Sequence, residues 1–202
     1  MKKILMSLAI ISLSFVGLFQ ATSAAFEETV TVAGTSFSIA SEFQGGTGPA
    51  DTNTALKLFK NLAGGTDFEN LTDTVEGMNF EDVEPVWRGN FPLKMYNKGL
   101  ETLDIISAVN YISDVNTIRD DIYVQISVWD DANNNGVFEV TEEGDMLGYD
   151  TILRLRNDKF VLGEIAPGET KGFVMKFDGS GITQSNAGQS AVYDFTFTGV
   201  GM

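Results

Sequence analysis

Ala24-Ala25-Phe26-Glu27-Glu28-Thr29-Val30-Thr31-Val32-Ala33-Gly34-Thr35-Ser36-Phe37-Ser38-Ile39 is the stretch on which the reading of this chain turns. A run of small residues stops, two acids follow, and a β-branched alternation begins at once, as expected of a strand with one face buried. Upstream lie Lys2 and Lys3, an uncharged apolar run from Ile4 to Phe19, and small residues from Ala21 to Ala25. These are the three regions of a secretory signal peptide. The apolar run is 16 residues long, short of the roughly 20 that cross a bilayer as a helix. The sequence therefore predicts a signal peptide over 1–25, cleavage between Ala25 and Phe26, and an N-terminal strand region over 26–40. The remainder, 41–202, reads as one domain with no membrane segment after cleavage, secreted to the cell surface or beyond.

The 202 residues include 13 basic and 28 acidic side chains, and every acid follows Phe26. Loss of Lys2 and Lys3 with the signal leaves 11 basic residues against 28 acidic ones, a formal charge of −17. Such a charge argues against nucleic acid or anionic lipid as partner, and for solubility outside the cell or for cation binding. Cysteine and histidine are absent. There is then no disulfide framework and no thiolate site, and the Ser-His-Asp, Cys-His and His-ligated zinc arrangements are excluded.

Beyond Ile39 the apolar residues keep a period of two. Phe91, Leu93 and Met95 alternate with Pro92, Lys94 and Tyr96 ahead of a turn at Asn97-Lys98-Gly99, and Ile122, Val124, Ile126 and Val128 alternate in the same way. Leu103 to Ile112 is apolar on both faces, as a central strand would be. Ile152 to Arg156, Phe173 to Phe177 and Tyr193 to Phe197 read as three more strands, with Pro167-Gly168 suited to a type II turn. Ser41 to Thr54 and Gly64 to Gly77 read as polar connections. Ala55 to Leu62 fits either a strand, through Leu56 and Leu58, or one face of a short helix, through Leu56, Phe59 and Leu62. Roughly eight strands separated by turns predict an all-β fold: one antiparallel sandwich, of jelly-roll or immunoglobulin-like type, with an N-terminal extension strand.

One segment carries recognisable chemistry. Asp131-Ala-Asn133-Asn-Asn135-Gly136-Val137-Phe-Glu139-Val-Thr-Glu142 fits the calcium-loop pattern D-x-[DN]-x-[DN]-G-x5-E at every position. Oxygens at alternate side chains can wrap one cation, glycine permits the sharp turn, Val137 offers its carbonyl, and Glu142 can close the shell. The candidate metal ligands are thus Asp131, Asn133, Asn135, Val137, Glu139 and Glu142, for a structural calcium ion. A strand precedes this loop, so it is expected to join two strands, unlike the two helices of an EF-hand. The competing reading is a metal-free Asn-Gly hairpin turn. Glu81, Asp82 and Glu84, and the pair Asp120-Asp121, read as solvated surface charge, since no base or pocket accompanies them. Trp87 and Trp129 either stack on a sugar or cover the sheets. No catalytic residue is assigned, and the chain does not read as an enzyme.

Three of these regions, taken in order, resemble the TasA/camelysin family of secreted biofilm-matrix proteins. Ala24-Ala25-Phe26-Glu27 looks like that family's signal junction. Thr35 to Ser41 is similar to its next strand, though without the Gly-Thr-Leu that ends it. Val86 to Tyr111, with Phe91 to Gly99 and then Asn110-Tyr111, resembles its strand that ends in Asn-x-Gly and runs on to an Asn-Tyr pair, although Val86-Trp87-Arg88-Gly89 stands where a Pro-Gly turn is usual. The resemblance implies a jelly-roll subunit that polymerises head to tail into extracellular fibres, possessing itself as partner and other matrix proteins as potential companions; related archaeal bundling pili assemble similarly. It also implies that Phe26 to Gly34, through Val30 and Val32 with a bend at Gly34, is a polymerisation strand donated to the next subunit. The alternatives are that this strand pairs within its own domain, and that the protein is a monomeric calcium-stabilised surface module binding polysaccharide or a surface partner. Some relatives have been described as metalloproteases, a reading that no zinc-protease motif in this chain supports.

Overall fold

The computed structural model describes residues 27–32, 36–41, 55–114 and 117–201, the first two segments by backbone only. Phe26 and Gly34 of the N-terminal stretch lie outside the described residues. Twelve strands are described: β1 Glu27–Val32, β2 Ser36–Ser41, β3 Leu56–Phe59, β4 Leu71–Thr72, β5 Val75–Glu76, β6 Arg88–Asn97, β7 Leu103–Ser113, β8 Tyr123–Trp129, β9 Glu143–Thr151, β10 Phe160–Ile165, β11 Thr170–Asp178 and β12 Val192–Gly201. One short helix, α1 Ile152–Asn157, joins β9 to β10. The strands form two six-stranded sheets, ordered β10-β7-β12-β1-β2-β5 and β4-β3-β6-β11-β8-β9, and all described pairings are antiparallel. The protein is an all-β sandwich.

Period-two patterning builds its core. Ile105, Val109, Tyr193, Phe195 and Phe197 face inward from the first sheet, and Leu58, Leu93, Met95, Val124, Ile126, Phe173, Met175 and Phe177 from the second; all are buried together. Phe80, on a connection, locks the sheets by edge-to-face contacts with Phe177 at 5.2 Å and Tyr193 at 5.3 Å, each worth about 0.5–1.5 kcal/mol beyond area burial. On β12 the outward residues Asp194, Thr196 and Thr198 are buried too. Asn97, fully buried at the end of β6, donates its side-chain amide to the Glu101 and Ile165 carbonyls, and its Oδ1 accepts from the Gly99 amide. This is the physical content of the Asn-x-Gly turn: one side chain satisfies the backbone of two connections.

Several expectations change. The ambiguous segment is strand β3, whose four residues are all buried. The N-terminal region is two strands paired as a hairpin, and β1 is an interior strand between β12 and β2. Ile152–Arg156 is helix, not strand: Thr151 Oγ1 accepts from the Arg154 amide as an N-cap, and the i, i+3 pair Ile152 and Leu155 is buried. Gly64–Gly77 contains the two-residue strands β4 and β5. Strands β9 and β10 were not legible, because β9 carries two glycines and exposed Asp145 and Met146.

Pro167-Gly168 forms the expected turn, with Gly168 at φ 75° and the Glu169 amide donating to the Ala166 carbonyl at 3.0 Å. Glu84-Pro85-Val86-Trp87 is closed by the same bond, from the Trp87 amide to the Glu84 carbonyl, but places a β-branched residue at φ 63°. That conformation costs a non-glycine residue roughly 1–2 kcal/mol. Val86 is exposed and packs little, so Val86→Gly is expected to stabilise the fold by about 1 kcal/mol. Thermal unfolding checks this; a lowered Tm would contradict it.

Candidate functional site

The calcium-type loop leaves β8 at Trp129 and re-enters the sheet at β9, so it joins two strands as its sequence requires. Its fold is organised by Asp131, whose side chain is nearly inaccessible. Asp131 Oδ1 accepts from the Asn135 amide at 3.1 Å, and Oδ2 from the Gly136 amide at 3.0 Å. Asn133 Oδ1 accepts from the Asn135 amide at 2.9 Å, and Asn135 Oδ1 from the Val137 amide at 2.6 Å. The first, third and fifth positions are thus pre-shaped by their own backbone, although Asp131 Oδ2 also accepts from Lys94. Glu139 Oε1 accepts from the side-chain amides of Asn133 at 3.5 Å and Asn135 at 3.3 Å, which gathers four of the expected ligands. The structure brings Asp131, Asn133, Asn135 and Glu139 together.

Glu142 is held differently. Its Oε2 accepts from the Trp129 indole at 3.0 Å and the Glu139 amide at 3.4 Å, the latter being half of a capping box on the short 3-10 turn Val140–Glu142. It closes a cation shell only by giving up part of that arrangement. Val137 lies on the loop's exposed side. Among the described residues no three Asp, Glu, His or Cys side chains converge as a metal cluster; the donor set is carboxylate mixed with asparagine oxygens, which suits calcium better than a transition metal.

Two contacts around the loop come from distant residues and have no sequence signal. Lys94, from β6, puts its ammonium 2.7 Å from Asp131 Oδ2 and 2.7 Å from the Leu62 carbonyl, and 5.3 Å from the centre of the Trp129 ring. Burial alone would raise the Asp131 carboxyl, but Lys94 and the Gly136 and Asn135 amides outweigh it and hold it below its ordinary value. Gly136, at φ 71°, presses on the Leu62–Ala63 backbone so closely that a Cβ there would lie 2.4 Å from Ala63 N. The loop is therefore docked on the β3–β4 connection, beside a cleft of about 500 Å³ lined in part by Lys94, Trp129, Asp131 and Asn134.

The second candidate element is the N-terminal strand. Six residues of β1 pair with β12, Glu27 opposite Val200 through Val32 opposite Phe195, and five pair with β2, Glu28 opposite Ser41 through Val32 opposite Phe37. Val30 stands opposite Phe197 on one side and Ile39 on the other.

The other sequence candidates separate. Trp129 is buried and Trp87 is half-buried, packed on Phe80 with ring centres 5.4 Å apart; neither offers the open ring face that sugar stacking needs. Glu81, Asp82 and Glu84 are exposed. Asp121 is raised by burial and by the neighbouring Asp120 charge, and accepts from the Asn186 side chain at 2.6 Å. A cluster around the buried Tyr193, which the sequence did not reveal, lies at the end of the sandwich opposite the calcium-type loop. There Asp114 accepts from Arg119 at 2.6 Å and from the Tyr193 hydroxyl at 3.2 Å, and Arg119 and Arg156 each stand over the Tyr111 ring. The ion pair of Asp114 with Arg119 and the bond from Tyr193 make this a structural clamp.

Compared with known proteins, the chain matches no family model and no curated sequence.

Proposed function

We propose that this chain is a secreted structural subunit that polymerises into extracellular fibres by exchanging its N-terminal strand region between copies, with a calcium-bound loop stiffening the sandwich. The observation that carries this reading is the position of β1: an interior strand, between β12 and β2, in the segment that directly follows the signal-like run. Withdrawing it would leave β12 with six unpaired positions and open the sheet beside the buried Phe195 and Phe197. Such a slot costs stability when empty and is satisfied by an equivalent strand from another copy. Head-to-tail repetition of that contact gives an open filament. Cleavage after Ala25 is then the assembly switch, because only a short, free N-terminus threads into a neighbour. The polysaccharide-binding reading draws no support from Trp87 and Trp129, given their burial.

The switch is testable with a soluble partner fused ahead of Phe26 through a protease site. Light scattering is expected to stay flat until the protease is added and to rise afterwards. Scattering that rises equally without cleavage, or never, would contradict the mechanism.

In the loop, Asp131, Asn133, Asn135 and Glu139 would hold the ion, which would supply positive charge among Asp130, Glu142 and Glu143 and so fix the β8–β9 connection. With two asparagines among the ligands, binding is expected at about 0.1–1 mM, as in extracellular modules. Titrating calcium into chelated protein should raise the Tm and change Trp129 emission, since its indole is bonded to Glu142. An unchanged Tm at millimolar calcium would remove calcium from the account.

A further inference from the structure

Resting on the reading of the loop from Asp131 to Glu142 as a calcium site, we propose that the ammonium of Lys94 is the loop's resident cation. It holds Asp131 in the metal-free protein, calcium displaces it, and this exchange sets the calcium concentration at which the loop fills. The observation that leads there is a positive charge of the chain's own, already standing on the first ligand position.

Lys94 Nζ donates to Asp131 Oδ2 and to the Leu62 carbonyl, both at 2.7 Å, and lies 5.3 Å from the centre of the Trp129 ring. The pair is shielded from water, the Lys94 side chain being 12% exposed and that of Asp131 2%. One ammonium thus touches three parts that the loop depends on. Asp131 is the first ligand position, and Leu62 belongs to the backbone on which Gly136 presses. Trp129 donates its indole N–H to Glu142, the last ligand position, at 3.0 Å. A carboxylate buried as deeply as Asp131 demands a counter-charge. Lys94, reaching across from β6, supplies it, and so docks the loop without a metal.

Calcium and the ammonium cannot both keep these places. An ion bound to Asp131 at about 2.3–2.6 Å comes within a few ångströms of Lys94 Nζ, and the two positive charges repel. Of the two, Lys94 is the one free to swing. Its stem is flexible and its ammonium has no fixed orientation, and it lines the cleft of about 500 Å³, where Asp130 and Asn134 also stand. Affinity in such loops follows the number of carboxylate charges offered to the ion. Asp131, Glu139 and Glu142 bring three, and Lys94 cancels one of them. Lys94 therefore weakens binding beyond what the two asparagines do, and reserves the filled state for surroundings rich in calcium.

Calorimetric titration of chelated protein with calcium chloride tests this on the unmutated chain, on Lys94→Met, which loses the charge, and on Lys94→Arg, which keeps it. Lys94→Met is expected to bind calcium about tenfold more tightly or better, the effect of removing a unit charge close to a divalent ion even at the screening of bulk water. Its metal-free Tm should fall, and millimolar calcium should raise that Tm by more than it raises the unmutated protein's. Lys94→Arg should keep the unmutated affinity. A residue that only packs would lower the metal-free Tm without tightening calcium. Equal affinities in Lys94→Met and the unmutated protein would overturn the inference and leave the calcium site intact, whereas no binding by either would overturn both. A second measurement needs no variant. Labelling with an amine-reactive ester, read by mass spectrometry, is expected to find Lys94 protected in chelator and reactive in calcium, with the exposed Lys60 and Lys98 reacting alike in both. Protection of Lys94 in both conditions, while calcium still raises the Tm, would show that ion and ammonium coexist and overturn the exchange.

Discussion

Deleting residues 26–34 from the mature chain is expected to abolish filament formation completely. The deletion removes β1, so β12 loses its partner over six positions and β2 over five, leaving β2 joined to the sheet by β5 alone. A chain so shortened can neither donate the strand nor, without a neighbour's strand, fill its own slot. The free subunit should also unfold at lower temperature, and a synthetic peptide of residues 26–34 should restore part of that loss by adding to the open edge. Electron microscopy and thermal unfolding read the two effects. Filaments from the deleted chain would remove the N-terminal strand from assembly.

Gly136→Ala is expected to be the most damaging single substitution in the calcium-type loop. Two costs add at this residue. Its φ of 71° lies in the left-handed region, and a methyl group would meet the Ala63 and Leu62 backbone at 2.4 and 2.8 Å, atoms that cannot swing aside as a side-chain tip can. Together these amount to about 2–4 kcal/mol. The matching substitution Gly168→Ala shares the φ, at 75°, but meets nothing within 4 Å, so it should cost only about 1 kcal/mol. Denaturant unfolding of the two variants separates strain from collision. Equal losses would show that the loop is not docked on the β3–β4 connection.

The parts of this molecule legible in the sequence are those where chemistry is local. Alternation of Phe91, Leu93 and Met95, or of Tyr193, Phe195 and Phe197, reports a buried face directly, and Pro167-Gly168 reports its turn. The loop from Asp131 to Glu142 was legible for the same reason: its side-chain oxygens serve amides two to five residues away. The illegible parts depend on partners distant in sequence. Nothing near Lys94 announces Asp131, and nothing near Gly136 announces Ala63. Ile152–Asn157 alternates Leu and Arg as a strand would, yet the Thr151 cap and the burial of Ile152 with Leu155 select the helix. In β9, Gly148 is needed because the Phe160 ring occupies the place of its side chain, which erases the alternation that would have marked the strand. Asp114, Arg119 and Tyr193 are far enough apart in the chain that only the folded sandwich brings them into one cluster.

The position of β1 in the sheet was beyond the sequence as well. Its alternation identifies a strand but carries no information on which strand it joins, and the family resemblance supplied the expectation of donation. Pairing with β12 on one side and β2 on the other makes the strand an interior part of the described sheet.

Negative-stain electron microscopy of the purified chain beginning at Phe26, untagged and examined over a range of concentrations with and without calcium, tests the central claim most directly. Self-assembly through the N-terminal strand region predicts long unbranched filaments that lengthen with concentration. A field of separate particles the size of one subunit at every concentration, in calcium and in chelator alike, would contradict it.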